Sequence, residues 1–505
     1  MARYKPVDRS PKFLPIVLEE QIQPGTFEFA LDRLVDTDLD LSRLDARFNN
    51  DETGASAYDP RVLLKIVLLG YSRGLISSRS IERACRDNVL FMAISGDQAP
   101  AWTTVAKFVR DLSDEIQPSF TQVLLVCDQL GLIGRELFAI DGVKLPSNAS
   151  KERSGTHAEL AHKADRYDKA TRKVLQTHCL QDVGKGEDGL QERRRKRAEE
   201  LTHEAERIRA FLASKPPRRN AKGQELKDNV TDPDSAKMAT SKGVIQGYAA
   251  QAVVDDRHQV IVAAQAIGSG SEQQALLPLV DATESLRGPQ TLITADAGYR
   301  SNENLKGLAE RRILALIADN EMRKRDERLR DQGKYKAGPD PLYDKGARGA
   351  EDAEPKRFRP SDFQVDLDSS TCICPAGKHL YRSGSNCHAN GRVHHKFKGT
   401  IGGCVPCDLR VKCLRYPDRS RVRQVAIFLK DQPSPFMDIE RMKARIDSPW
   451  GRRTYGRRMG TVEPVFGNLR HNKRLNRFTL RGRKKVNTQW QLYCLVHNIE
   501  KIAGA

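Results

Sequence analysis

Three acidic residues stand where a chain could gather divalent cations. Asp296 closes Thr291-Leu292-Ile293-Thr294-Ala295-Asp296-Ala297-Gly298, an uncharged, strand-favouring run followed by an acid and, two residues on, a glycine. Leu137-Phe138-Ala139-Ile140-Asp141-Gly142 repeats the pattern, apolar run then acid then glycine. A carboxylate at the exit of a buried strand costs solvation unless a cation meets it. In open α/β sheets that exit is also where ligands bind. The plain alternative for Asp296 is a cap on the following turn. The third acid is Glu463, the only one between Ser448 and Asn498. Its plain alternative is a neutralising ion pair among Arg452, Arg453, Arg457, Arg458, Arg470 and Lys473. Two aspartates and a glutamate carry the hard oxygen donors that Mg²⁺ or Mn²⁺ prefers. A pair of such ions activates an attacking water or 3′-hydroxyl and steadies the leaving oxygen at phosphorus.

Those acids need elements to hold them. After the Asp141 strand, residues 148–217 are highly charged and helix-permissive, with Arg193-Arg194-Arg195-Lys196-Arg197 followed by Glu199 and Glu200. Long exposed helices, paired as a hairpin, are expected there, the basic run facing either solvent or phosphate. Residues 215–234 have the composition of a linker. Tyr248–Val254 and Gln259–Ala266 flank the polar turn Asp255-Asp256-Arg257-His258, an antiparallel hairpin. A helix over 276–286, the Asp296 strand, a helix over 301–312 and a strand over 313–318 complete the series. Strand with Asp, hairpin, helix, strand with Asp, helix, strand is the element order of a ribonuclease-H-like fold, here with a charged insertion at about 150–234.

Upstream, residues 1–55 suggest a docking arm, and 59–132 read as short helices joined by tight polar turns. Ser77 is the expected N-cap of one of them. Such helices suit a helix-turn-helix class of DNA binder, with Arg73, Arg79, Arg83 and Lys107 as phosphate contacts, joined by Arg457 and Lys473 in the basic stretch around Glu463; a plain helical packing domain is the alternative. Downstream, 320–365 is charged and rich in Pro and Gly. The chain thus divides into a helical N-terminal domain over 1–132, a core over 133–319, a linker with a Cys-rich insertion over 320–445, and the rest of the core, carrying Glu463, over 446–505. In that last part Pro464 calls for a first helical turn after Thr461 as N-cap, or a kink.

Composition narrows the partner. Lys and Arg number 85 against 66 Asp and Glu, a formal charge of +19 over 505 residues. Such an excess favours a polyanion, since each phosphate neutralised releases counterions. No apolar run approaches the roughly 20 residues of a membrane span. The opening Met-Ala-Arg-Tyr-Lys-Pro lacks an apolar signal core, so a cytoplasmic protein is expected.

Six of the ten cysteines fall between 372 and 413. In a cytosolic chain such clustering speaks for metal rather than disulfides. Cys374, Cys404, Cys407 and Cys413 have the spacing of a tetrahedral zinc site, with Cys372, Cys387 and His379 as alternative ligands. Free thiols in an insertion that folds without metal are the other reading.

The chain resembles the bacterial insertion-sequence transposases of the DDE class, most closely the group numbered 1182. The resemblance rests on Tyr58-Asp59-Pro60-Arg61, Tyr71-Ser72-Arg73-Gly74, Asp141-Gly142-Val143-Lys144 and Asp232-Pro233-Asp234-Ser235. It continues through Gln246-Gly247-Tyr248-Ala249-Ala250-Gln251, Ala295-Asp296-Ala297-Gly298-Tyr299, Val462-Glu463-Pro464-Val465-Phe466-Gly467 and His497-Asn498. It implies that Asp141, Asp296 and Glu463 bind the metal ions. It also implies that Tyr455, Arg458 and Arg470 form a Tyr–Arg–Glu–Lys signature, with Arg458 one residue farther upstream than usual and Arg470 in place of Lys. The implied partners are double-stranded DNA, at element ends and target, and a second copy of the chain. A nuclease that cuts without joining and a non-catalytic DNA-binding repressor are the alternative functions.

Overall fold

The computed structural model describes residues 15–47, 56–181, 188–220, 223–240, 243–329, 357–366, 369–389, 392–428 and 437–505. Parts of the arm expected over 1–55 and of the linker expected over 320–365 lie outside these residues. Packing divides the chain into two compact units, one running up to Ala318 and resuming over Pro449–Ala505, the other covering Asp319–Ser448.

The first unit is built on one mixed sheet. Its strands are β1 (Leu137–Pro146), β2 (Ala236–Thr240), β3 (Gly243–Asp255), β4 (Ile261–Ile267), β5 (Leu292–Ala295) and β6 (Ala315–Ile317). β3 pairs antiparallel with β1 on one edge and β4 on the other, and β2 pairs its first residues. β1, β5 and β6 run parallel. The order β4-β3-β1-β5-β6, three antiparallel strands continued by two parallel ones, is a mixed α/β arrangement consistent with a ribonuclease-H-like core.

The longer helices before the sheet, among the described residues, are α1 (Phe27–Arg33), α2 (Pro60–Ser72), α3 (Ser78–Asp87), α4 (Val89–Ser95), α5 (Trp102–Asp111) and α6 (Ile116–Gln129). Ser77 caps α3 as expected, accepting from the Ser80 amide at 3.1 Å. Between β1 and β2 come α7 (His157–Gln181) and α8 (Asp188–Ser214), which pack together on Leu160, Ala164, Ala205, Ile208 and Phe211. Three of the five cations in the basic run on α8 pair within their own helix, as Arg195–Glu192 at 3.1 Å, Lys196–Glu192 at 3.3 Å and Arg197–Glu200 at 3.0 Å.

After β4 come α9 (Leu276–Asp281), α10 (Asn302–Glu310), α11 (Pro449–Gly467) and α12 (Arg483–Ala503). The expected helix over 276–286 stops at Asp281, and a separate 3₁₀ turn covers Glu284–Leu286.

α12 is the hub. It is buried almost all round from Val486 to Ile499 and packs against β4, α6, α2 and α1. Tyr493 stacks on Tyr71 with ring centroids 4.5 Å apart. The boundary expected at residue 132 therefore marks no break in packing. Along β4, the far edge of the sheet, α12 supplies the missing ladder bonds. Asn498 accepts from the Ile261 amide at 2.8 Å and donates to its carbonyl at 2.9 Å, and Asn487 accepts from the Ala266 amide at 2.8 Å. Eleven helical residues and five strand residues each span about 16 Å, so both asparagines meet one strand.

Residues 228–235 are not a linker. Asp232 is fully buried; it accepts from the Tyr248 hydroxyl at 2.7 Å and the Gly482 amide at 3.0 Å, and Asp234 accepts from the Arg483 amide at 3.0 Å. Two carboxylates thus satisfy the free N–H groups at the start of α12, where negative charge is favoured.

The second unit holds a five-stranded antiparallel sheet: β7 (Gln364–Asp366), β8 (Thr371–Ile373), β9 (His379–Ala389), β10 (Arg392–Lys398) and β11 (Gln424–Phe428), paired in sequence order. Among the described residues no helix is long and apolar enough to cross a membrane.

Candidate active site

Strand register brings the two aspartates together. Ile140 of β1 aligns with Ala295 of β5, the last pair of that parallel ladder. Asp141 and Asp296 are the next residue on each chain, and neighbouring strands lie about 4.8 Å apart. Asp141 is not the end of its strand, as the sequence suggests: β1 continues to Pro146 against β3, with Asp141 opposite Ala252. It ends only the parallel pairing.

Each carboxylate has local donors. The Gly142 amide donates to Asp141 at 2.8 Å, and the Gly298 amide to Asp296 at 2.8 Å. The capping reading of Asp296 therefore holds, and it coexists with the strand-exit position. Arg458 reaches Asp141 from α11, which lies against β1, β3 and β5. Its guanidinium is 3.0 Å from the carboxylate and donates to the Ile140 carbonyl at 3.3 and 3.2 Å. Burial raises the Asp141 pKa, Arg458 and the Gly142 amide oppose that, and the negative charge of Asp296 adds to it.

A fourth acid, missed in the sequence, joins the pair. Glu272 lies just before the 3₁₀ turn Gln273–Ala275 that leads into α9. A Cβ on Gly298 would sit 2.4 Å from the Glu272 carboxylate and 3.0 Å from that of Asp296, so a side chain there would push the Glu272 carboxylate away. The Gly298 backbone is not left-handed, so glycine serves close approach here rather than turn freedom. Burial raises the Glu272 pKa, Lys144 at 3.9 Å opposes this, and Asp296 and Asp141 add to the rise. The one signal in the sequence is that Glu272 is the only acid between Asp256 and Asp281.

Beneath the acids lies a buried polar layer. The Tyr299 hydroxyl donates to the Gln251 side chain, and Trp490 of α12 donates to the Gln251 carbonyl at 2.9 Å. Gln251 stands opposite Gly142, whose hydrogen leaves room for the amide.

Glu463 lies on α11, five residues beyond Arg458, roughly 7–8 Å along the axis. Its side chain is exposed; the charges bearing most on Asp141 are Arg458 and Asp296, and those on Glu272 are Lys144, Asp296 and Asp141. α11 continues past Pro464, so Thr461 is no N-cap; its hydroxyl bonds back to the Arg457 carbonyl at 3.0 Å. The Gly460 carbonyl, left without its helical donor by Pro464, accepts from Gln259 at 3.1 Å instead. Tyr455 and Glu463, eight residues apart, share one stripe of the helix. Arg470 sits half-buried in the π-helical turn after α11.

The expected phosphate contacts divide. Arg83 and Lys107 are exposed, and Arg79 lies over the Trp102 ring at 4.7 Å. Arg73 pairs with buried Glu28, and Arg457 with Asp256 and, at 3.5 Å, Glu136. Lys473 is a correction: its side chain is 1 % exposed and bound to Glu500, so it anchors α12 rather than facing DNA.

Among the described residues no three Asp, Glu, His or Cys side chains are gathered at metal-ligand distance. The donor set at Asp141, Asp296 and Glu272 nevertheless fits a hard divalent cation. It is all oxygen, and burial, with the negative charge of Asp296 added, raises the proton affinity of both Asp141 and Glu272.

No curated protein matches the chain. Two family models do. One described as a transposase DDE domain matches residues 373–503, which include five of the six clustered cysteines and Glu463 but neither Asp141 nor Asp296. One described as a transposase domain (DUF772) matches residues 16–111, which hold α1 to α5. Together the two matches, both to transposase domains, indicate a bacterial insertion-sequence transposase.

Proposed function

We propose that this transposase binds the terminal inverted repeats of its element, cleaves the DNA ends by metal-dependent hydrolysis and joins the freed 3′-hydroxyls to target DNA. The observation that carries the reading is the adjacency of Asp141 and Asp296 at the end of one parallel ladder. Asp141, Asp296 and Glu463 hold Mg²⁺ or Mn²⁺, with Glu272 as a fourth carboxylate. Bound there, such ions activate the attacking oxygen and stabilise the leaving one.

The protein's own groups position and neutralise. Arg458 favours the charged form of Asp141 against the burial that disfavours it, and ties α11, hence Glu463, to the strand that carries Asp141. Lys144 likewise favours the charged form of Glu272. Arg79, Arg83 and Lys107 contact phosphates on the helical side, while Tyr455 and Arg470 line the DNA near Glu463. Two ends must be held at once, so the active species is a homodimer.

The test is cleavage of a supercoiled plasmid carrying the native flanking DNA. Wild type should nick at the element ends in Mg²⁺, and Asp296→Asn should bind the same DNA without nicking it. Equal nicking by both proteins would remove Asp296 from the chemistry. Binding without cleavage by either would favour a repressor.

A further inference from the structure

Six cysteines between 372 and 413 compete as ligands in the sequence; the structure separates them. Cys372 is fully buried and packs with Phe363, Leu380, Phe397 and Val425 in the small core of the second unit. Cys387 sits on β9 and points its thiol back to the Ser385 carbonyl at 3.9 Å. The other four line one cavity of about 30 Å³. Cys404, Cys374 and Cys407 all stand near enough to Cys413 to act on its charge. The described cysteines are free, so no disulfide claims any of these four.

Local backbone prepares two of them. Cys374 opens the β8–β9 turn, where the Gly377 amide bonds the Cys374 carbonyl at 2.8 Å and the Lys378 amide donates to the Cys374 sulfur at 3.3 Å. Gly377 takes φ +71°, which lets the turn close on the sulfur. On the opposite wall a Cβ on Gly399 would lie 2.4 Å from the Cys404 sulfur, so glycine makes room for that thiol. Arg410 fixes the loop bearing Cys404, Cys407 and Cys413, donating to the carbonyls of Cys404 at 3.0 Å, Pro417 at 2.6 Å and Ser420 at 2.8 Å.

We propose that Cys374, Cys404, Cys407 and Cys413 bind one structural Zn²⁺ that holds the β8–β9 turn to the 399–413 loop. The donors are four soft sulfurs, two of them as Cys-x₂-Cys, and all four positions are filled by protein. The sulfurs surround the cavity without being drawn together at metal distance. Side-chain rotations close the tetrahedron, and four thiols lose their protons to solvent as the ion binds. The resulting net charge of −2 is met by Lys378, Arg410 and Arg423, which line the same cavity. A core of five buried residues leaves this unit dependent on such a staple.

The test is metal analysis of the full-length protein purified under reducing conditions without added chelator. The expected result is about one zinc per chain, released when a mercurial reagent titrates the native protein. Cys404→Ser and Cys407→Ser should lower the content at least about fivefold, and Cys387→Ser should leave it unchanged. Cobalt substitution should give the intense visible and near-ultraviolet bands of a four-thiolate tetrahedral site. Absence of zinc from the native protein, bound iron in its place, or full retention in Cys407→Ser would each overturn the assignment. Zinc content is read without DNA, so its outcome is separate from that of the cleavage assay.

Discussion

Burial and crowding set the charge states at the acids: Asp141 and Glu272 hold their protons more tightly than free carboxyls do, and a divalent cation reverses that. Glu272→Gln keeps the shape beside Gly298 and removes one negative oxygen. It should lower Mg²⁺-dependent cleavage at least about tenfold while leaving end binding intact, as loss of an outer metal-site partner does. An unchanged cleavage rate would reduce Glu272 to a packing residue. His497 offers a test of a different kind. It is buried between the Gln259 carbonyl at 2.8 Å and Asn468 at 3.2 Å, and burial brings its pKa down to about 4 from 6.5. Between those values the unfolded chain binds the extra proton and the folded one does not. Stability is therefore full above pH 6.5 and is lost as pH falls toward 4, by about 3 kcal/mol in all. The melting temperature should drop across that window in wild type and drop less steeply in His497→Gln. At this scale the sequence reveals Asp141 and Asp296, because each closes an apolar strand run. Glu272 escapes it, because an acid before a short helix looks like any N-terminal cap. Lys473 misleads, because nothing in its basic surroundings signals that Glu500, 27 positions on, takes the charge into the interior.

The elements explain why distant segments belong to one site. α11 crosses the sheet at the two aspartates, and its register delivers Arg458 to Asp141 and leaves Glu463 on the open side. α12 seals the far edge strand through Asn498 and Asn487, so that edge is closed to pairing with another chain. Asn498→Ala would leave the buried Ile261 amide and carbonyl unpaired, at a cost of about 1–3 kcal/mol per group. Thermal unfolding should show that loss clearly, and Asn487→Ala, at a half-buried position with one bond, should show less. Equal melting temperatures for Asn498→Ala and wild type would argue that solvent reaches β4. Strand and helix order were legible from periodicity, including the hairpin and both aspartate strands. The docking of 228–235 onto the start of α12 was not: it depends on Asp232 and Asp234 meeting amides some 250 positions away, and local composition there reads as linker.

At the scale of the whole molecule the +19 charge and the two transposase-model matches point to one partner, DNA. If about six phosphates are neutralised, the logarithm of affinity for end DNA should fall with the logarithm of salt at a slope near −5. A slope near zero would contradict a phosphate-contact interface. The intrahelical pairs on α8 make its basic run a poor contributor, so replacing Arg195 and Lys196 should alter that slope little.

The most direct measurement of the central claim is strand transfer by pre-cut ends. A labelled fragment ending in the element's exposed 3′-hydroxyl is incubated with plasmid target, Mg²⁺ and protein. Wild type should join the label to the plasmid, and Asp141→Asn should bind the fragment but yield no joined product. Nicking of the plasmid with no joined label in wild type would contradict the account and leave a metal-dependent nuclease in its place.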